Sequence, residues 1–214
     1  MCYNAEVSLL TFTLGTIASI ALIKYGNPSY HLENTIFGLF TLYIASVQLM
    51  DFVFWMDLDN RLGLNKIATI IGSFFNMGQP FLLYLIKMAY SSPTVASPID
   101  YTVGLINAIY VIYLLVCYTN FLKGGKLTVS SGHGHLVWPW VKYERTNVFL
   151  FMMALNVFYL TNFYYSLLVF AIVYAFYIIS NLYFSYNIGE MWCFFGASVS
   201  AIVLLITNGK NILG

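Results

Sequence analysis

Charge is what this chain has least of. Only 8% of its 214 residues are Asp, Glu, Lys or Arg, against about 25% in a soluble domain. That scarcity excludes an ordinary water-facing surface, because a soluble fold needs polar material to coat its apolar interior. The formal net charge of +1 offers no basic field, so no nucleic-acid partner is expected. Cysteine is also scarce. Cys2, Cys117 and Cys193 give neither a disulfide framework nor a CxxC metal pair, and with only His31, His133 and His135 beside them no metal or other cofactor is expected. A basic stretch and small-residue cleavage site ahead of the first apolar run are lacking too. That run therefore reads as a retained helix rather than a signal peptide.

What remains is apolar: 60% of the chain is hydrophobic. The apolar runs are continuous and about twenty residues long, as membrane helices need. A β-barrel would show short alternating segments instead. The expected fold is an all-α polytopic transmembrane helix bundle in a lipid bilayer, one membrane domain over 1–214. Seven spans fit, at about 6–24, 34–56, 66–90, 100–122, 146–160, 162–185 and 190–208. The split of 146–185 rests on Thr161 and Asn162, since about 40 residues is too long for one crossing. Asp100 follows the turn-rich SSPTVASPI and is expected to cap the fourth helix. With seven spans, Arg61, Lys66, Lys123, Lys126, Lys142 and Arg145 fall on the amino-terminal side. Lys24, Lys87 and Lys210 fall on the other. That asymmetry predicts a cytoplasmic N-terminus.

Within the apolar stretch VQLMDFVFWM (47–56), Gln48 and Asp51 stand out. A carboxylate near a bilayer centre costs about 2.5–3.5 kcal/mol on insertion scales. In a helix Thr41, Ile44, Gln48, Asp51 and Trp55 recur at three- and four-residue steps and share a face. The third span offers Ser73, Asn76 and Gln79, with Pro80 expected to kink it there. Polar groups in hydrocarbon seek each other, so Asp51 is expected to face inward with Gln79, Asn76 or a water as company. Two readings follow: a structural clamp, or a pocket that binds or passes a small solute or proton. In the pocket, Gln48, Asp51, Trp55, Asn76 and Gln79 would hold the guest.

The amino-terminal face carries a second set. Cys2, Glu6, Asp57, Asp59, His133, His135, Glu144, Glu190 and Cys193 share it, whereas His31 lies opposite. A histidine beside Cys2 could activate its thiolate. His133 or His135 would be the base, with Glu6 or Glu144 as orienter. A metal site on Cys2, His133 and His135 lacks the usual ligand spacing. The plainer reading of HGH is a solvated glycine-rich loop, and WPW (138–140) with Trp55 and Trp192 reads as an interfacial aromatic belt. GASVSA (196–201) suits close helix packing. A microbial rhodopsin is excluded, because its last helix must hold a lysine and GEMWCFFGASVSAIVLLITN has none.

MCYNAEVS, QLMDFVFWMDLDNRLGLN, the later GQP and the loop GHLVWPW together resemble a family of multi-span membrane proteins from large DNA viruses, algae and bacteria. Its members begin Met-Cys-aromatic-Ser-Ala-Glu-x-Ser and carry Gln-x-x-(Glu/Asp)-x-x-x-Trp in span two, then Asn, then Gln-Pro in span three. The resemblance covers about the first 80 residues and part of the long loop. It points to Cys2, Glu6, Gln48, Asp51, Trp55, Asn65, Gln79, Pro80 and His135 and implies no particular reaction. Asn4 replaces the usual Ser, and Asp51 the commoner Glu. The expectation is thus a binding or transport module for a small solute or proton. The alternatives are a membrane enzyme using Cys2 with His135 and Glu6, and a non-catalytic scaffold or homo-oligomeric component.

Overall fold

A computed structural model describes residues 4–91, 97–132, 134–160, 162–184 and 188–212, with all their side chains except those of 190 and 209–212. The described residues are mostly helical. Helix α1 (Ala5–Tyr25) starts at Asn4, whose side-chain oxygen accepts the Val7 N–H at 2.8 Å. A short polar side chain there satisfies a donor that the helix cannot. After one 3-10 turn, α2 (His31–Met56) runs back against α1. Small residues set that contact. A Cβ added to Gly38 would lie 2.5 Å from Ile23 Cγ1, and one on Gly15 would lie 3.0 Å from Ala45 Cβ and 3.1 Å from Ala197 Cβ. Helices in lipid gain from such close approach because bulk hydrophobicity does not drive them together. The Ser19 and Thr41 hydroxyls meet across this seam at 3.0 Å, and Thr41 also bonds to Ser200.

Next come α3 (Leu64–Met77) and α4 (Gln79–Tyr90), bent by 61° at Gly78. Pro80 is the cause expected from the sequence: it lacks an N–H and cannot continue the ladder. The Pro80 carbonyl accepts the Asn156 side-chain N–H at 2.8 Å, and Asn156 and Asn107 bond reciprocally at 3.0 and 3.1 Å. Buried backbone at the bend is thus partnered by amides. Helix α5 (Pro98–Gly124) begins with a capping box in which Ser97 is the cap and Asp100 its reciprocal partner, rather than the cap itself. The chain ends in α6 (Thr146–Phe158), α7 (Phe163–Tyr183), α8 (Ile188–Gly196) and α9 (Val199–Ile212). The chain is broken between α6, which ends at Phe158, and α7, which begins at Phe163 with Asn162 as its cap, the Asn162 side chain accepting the Tyr165 N–H.

Among the described residues, five helices are long and apolar enough to cross a membrane, or six counting α3 and α4 as one bent span. This is the architecture of an integral membrane helix bundle. The fifth of the expected spans, 146–160, corresponds to α6, which is short. Its 13 residues rise about 20 Å, short of the roughly 30 Å hydrocarbon core. The connection before it supplies more structure than a surface loop does. A small antiparallel hairpin pairs β1 (Ser130–Gly132) with β2 (His135–Val137), Ser131 opposite Leu136. The following turns then pack against the helices, burying Leu136, Trp138 and Trp140.

Candidate functional site

Asp51 and Gln48 lie on the inward face of α2 and are completely shut off from water. The Gln48 carboxamide has no hydrogen-bond partner among the described residues. Asp51 accepts from an unexpected donor: Trp138 Nε1–H lies 3.1 Å from Asp51 Oδ1. The sequence reading gave Asp51 the Asn76 and Gln79 amides as company. Those amides instead converge on the Cys193 thiol of α8, at 3.6 Å from Asn76 Nδ2 and 3.7 Å from Gln79 Nε2. Trp55 is half-buried beside the core around Phe54 and Trp140, and its Nε1 has no hydrogen-bond partner among the described residues.

Trp138 reaches Asp51 because the hairpin is clamped from below. The Asn65 side chain, at the start of α3 and fully buried, accepts the Val129 N–H at 2.8 Å and donates to Val129 O at 2.9 Å. This two-point bond fixes where the hairpin enters the bundle. Asp57 steadies the neighbouring turn by accepting the N–H groups of Leu62, Leu64 and Asn65 at 3.0, 2.8 and 3.2 Å. Burial works to raise the Asp57 pKa, but those N–H groups and that of Arg61 outweigh it and hold the carboxyl below its ordinary value. Past the hairpin, Pro139 sets two indoles side by side, Trp138 and Trp140 stacking with centroids 5.0 Å apart and planes 21° apart. Trp140 Nε1 donates to Asn76 Oδ1 at 3.1 Å. These tryptophans are core residues, 3% and 1% exposed. The interfacial belt expected for WPW is therefore wrong, because both indoles are buried and their N–H groups find acceptors inside the protein, fully buried Asp51 and half-buried Asn76.

Glu144 closes the same loop. The Tyr110 hydroxyl lies 2.8 Å from the Met77 carbonyl at the α3–α4 bend and 2.9 Å from Glu144 Oε1. A phenol has one proton for these two acceptors. With Glu144 protonated, its O–H donates to Tyr110 while Tyr110 donates to Met77, and every group is satisfied. The electrostatics agree: burial raises the Glu144 pKa to about 7, with the Tyr110 bond opposing in part. Its neighbour Arg145 is held by a backbone N–H donated to Tyr113 at 2.8 Å. The loop thus meets α5 near its middle, well before that helix ends at Gly124.

Glu144, Asn76, Trp138 and Cys193 help line a cavity of about 250 Å³ among α3, the loop, α6, α7 and α8. Cys193 and Trp192 also line a second, smaller cavity of about 30 Å³, whose wall includes Gln79 and Thr41. Trp138 lines the larger one and donates to Asp51. The chain matches no protein-family model, no curated protein and no solved structure.

The amino-terminal constellation fares differently. Cys2 and His133 lie outside the described residues. Glu6 is exposed in the first turn of α1, where an acid offsets the helix dipole. His135 sits in β2 with its ring edge-on to Phe184 at 6.1 Å. No hydrogen bond joins Glu6 to His135. No cluster of three or more His, Cys, Asp and Glu among the described residues could hold a metal. At the far end of the bundle is a polar group the sequence reading passed over. Lys87 Nζ lies 4.0 Å from Asp100 Oδ1 and 3.4 Å above the Tyr159 ring, and the Tyr159 O–H donates to Asp100. Tyr110 was likewise missed, whereas Cys193 was placed only on the amino-terminal face and Trp138 only in the aromatic belt. The only sequence signal was two tryptophans flanking a proline in an otherwise polar loop.

Proposed function

We propose that this protein is an integral membrane binding or transport module that takes a small solute or proton into a pocket opening toward its amino-terminal side. The observation that carries this reading is the cavity of about 250 Å³ with a carboxyl, an amide and a thiol in its wall. It falls below the roughly 300–1,000 Å³ of drug-sized sites, which suits a small guest. Polar groups continue inward from it. Asn76 and Gln79 meet at Cys193, the smaller cavity follows, and the Thr41 hydroxyl on that wall leads to Ser200 and Ser19. Ionisable and polar side chains inside a membrane bundle mark solute and proton paths. In this reading Asp51 exchanges the proton behind Trp138, while Asn76 in the wall of the larger cavity and Gln79 in that of the smaller one orient the guest.

Seven crossings are counted in this reading, the fifth made by the short α6. The side with more Lys and Arg, which includes the N-terminus, is placed in the cytoplasm. Reconstitution in proteoliposomes tests the reading. Wild-type protein should move protons or a panel of small solutes above the protein-free rate, and Asp51→Asn should slow that movement at least about tenfold while keeping its thermal unfolding midpoint. Equal flux in the two proteins would remove it.

A further inference from the structure

We infer that the guest of this pocket is a small organic ammonium ion, drawn by the Glu144 carboxylate and walled by the rings of Trp138, Phe149, Tyr177 and Trp192; this deepens the solute reading above and rests on it. Four observations lead there. First, the sign: among the described residues the lining has one acid and no lysine or arginine. An anion would enter against that acid and find no counter-charge.

Second, most of the donors an anion or acceptor would need are engaged. Trp138 Nε1 is held by Asp51, Trp192 Nε1 by the Val173 carbonyl at 3.1 Å, and one of the two Asn76 side-chain N–H groups by Cys193. Among the described lining side chains the second Asn76 N–H and the hydroxyls of Thr146 and Tyr177 remain, and a hydroxyl accepts as readily as it donates. Third, with their N–H groups turned away, the indoles offer carbon and π surface. Trp192 meets Phe149 at 5.5 Å and Tyr177 at 5.8 Å, both edge-to-face, so the three rings form a corner. Trp138 has one face covered by Trp140. Ring quadrupoles attract a cation within about 6 Å, most strongly where water is excluded. Fourth, the coordination is wrong for a hard metal ion, which takes about six or more oxygens. One carboxylate among rings suits an alkylated ammonium.

The charge of Glu144 ties binding to pH. Burial opposes ionisation and pushes the Glu144 carboxyl pKa up to about 7, against the Tyr110 hydrogen bond. The titratable groups around it are Tyr110, Tyr113 and Cys117 of α5, Tyr177 of α7 and Cys193 of α8. Lys142 and Arg145 flank it in the loop and are exposed. Among the described residues none of the surrounding helices brings a cation to it, so the ammonium ion supplies the counter-charge and a proton leaves as it binds.

Purified protein in nanodiscs, titrated with tetramethylammonium chloride and followed by tryptophan fluorescence, tests this. Saturable binding is expected for tetramethylammonium and not for tert-butanol, sodium chloride or sodium acetate. It should weaken at least about tenfold from pH 8 to pH 5.5 and by a similar factor in Glu144→Gln. Trp192→Leu should weaken it too, and the wild-type pH series stands even if a variant fails to fold. Equal binding of tert-butanol, or no dependence on pH, overturns the ammonium inference. The pocket itself is read separately, by peptide mass mapping of Cys193 after exposure to neutral methyl methanethiosulfonate. Labelling that tetramethylammonium does not block leaves the pocket standing and refutes the ammonium guest, whereas a Cys193 that never labels refutes the pocket.

Discussion

Breaking the bond between Trp138 and Asp51 gives the sharpest test of the architecture. Trp138→Phe removes the Nε1–H that lies 3.1 Å from Asp51 Oδ1 and keeps an aromatic ring in place. Asp51→Leu removes the acceptor at similar volume. Both side chains are shut off from water, at 3% and 0% exposure, so bulk solvent replaces neither partner. A neutral hydrogen bond nets about 0.5–1.5 kcal/mol and one to a charged partner about 1.5–3. Cycles in a membrane protein average about 0.6 and reach about 1.7 kcal/mol, because the unfolded chain in lipid also finds partners. The Trp138–Asp51 pair should therefore couple by about 1–2 kcal/mol, a factor of roughly 5–30 in the folding equilibrium. Both residues make other contacts, and the double-mutant cycle subtracts them. The assay is equilibrium unfolding of the four proteins in mixed micelles by far-UV circular dichroism, which does not depend on the deleted fluorophore. A coupling energy inside the additivity error of about 0.3–0.5 kcal/mol would falsify the claim that the loop tryptophan holds the buried acid.

Three further outcomes follow from the same structure. Asn156→Leu takes the donor from the Pro80 carbonyl and the partner from Asn107, and should cost about 2–3 kcal/mol in the same unfolding assay. Wild-type stability there would mean the bend needs no amide support. Gly38→Ala would place a Cβ 2.5 Å from Ile23 Cγ1 and 3.1 Å from the Ser19 carbonyl. Prising α1 from α2 should lower stability by about 1–3 kcal/mol, read as a drop in unfolding midpoint. Asp57 gives a pH signature. Its folded pKa is lowered, so its contribution is present above the unfolded carboxyl value of about 3.9 and is lost as pH falls through the folded value. Asp57→Asn should flatten the acid limb of the stability–pH curve, and an unchanged limb would show that another carboxyl sets it.

Much of the fold can be read from local pattern. Twenty-residue apolar runs state the membrane class, because spanning elements must satisfy their own backbone. Pro80 marks the bend, Asn162 starts a helix, and the three- and four-residue spacing of Thr41, Ile44, Gln48 and Asp51 puts them on one face. These are short-range facts: periodicity and capping depend on neighbours a few residues away. Which groups meet across the bundle is another matter. Trp138 and Asp51 are 87 residues apart, and Cys193 stands 117 from Asn76 and 114 from Gln79. Nothing in the composition of GHLVWPW distinguishes a loop that rests at the interface from one that folds inward. Only the Asn65 clamp on Val129 and the acceptors waiting on α2 and α3 decide it. The sequence by itself thus determined a helical membrane bundle with an acid buried in its second helix. The tertiary structure alone decided what that acid touches, and that Glu144 would share a cavity with four aromatic rings, because those pairings arise from the packing of separate helices rather than from the spacing along any one of them.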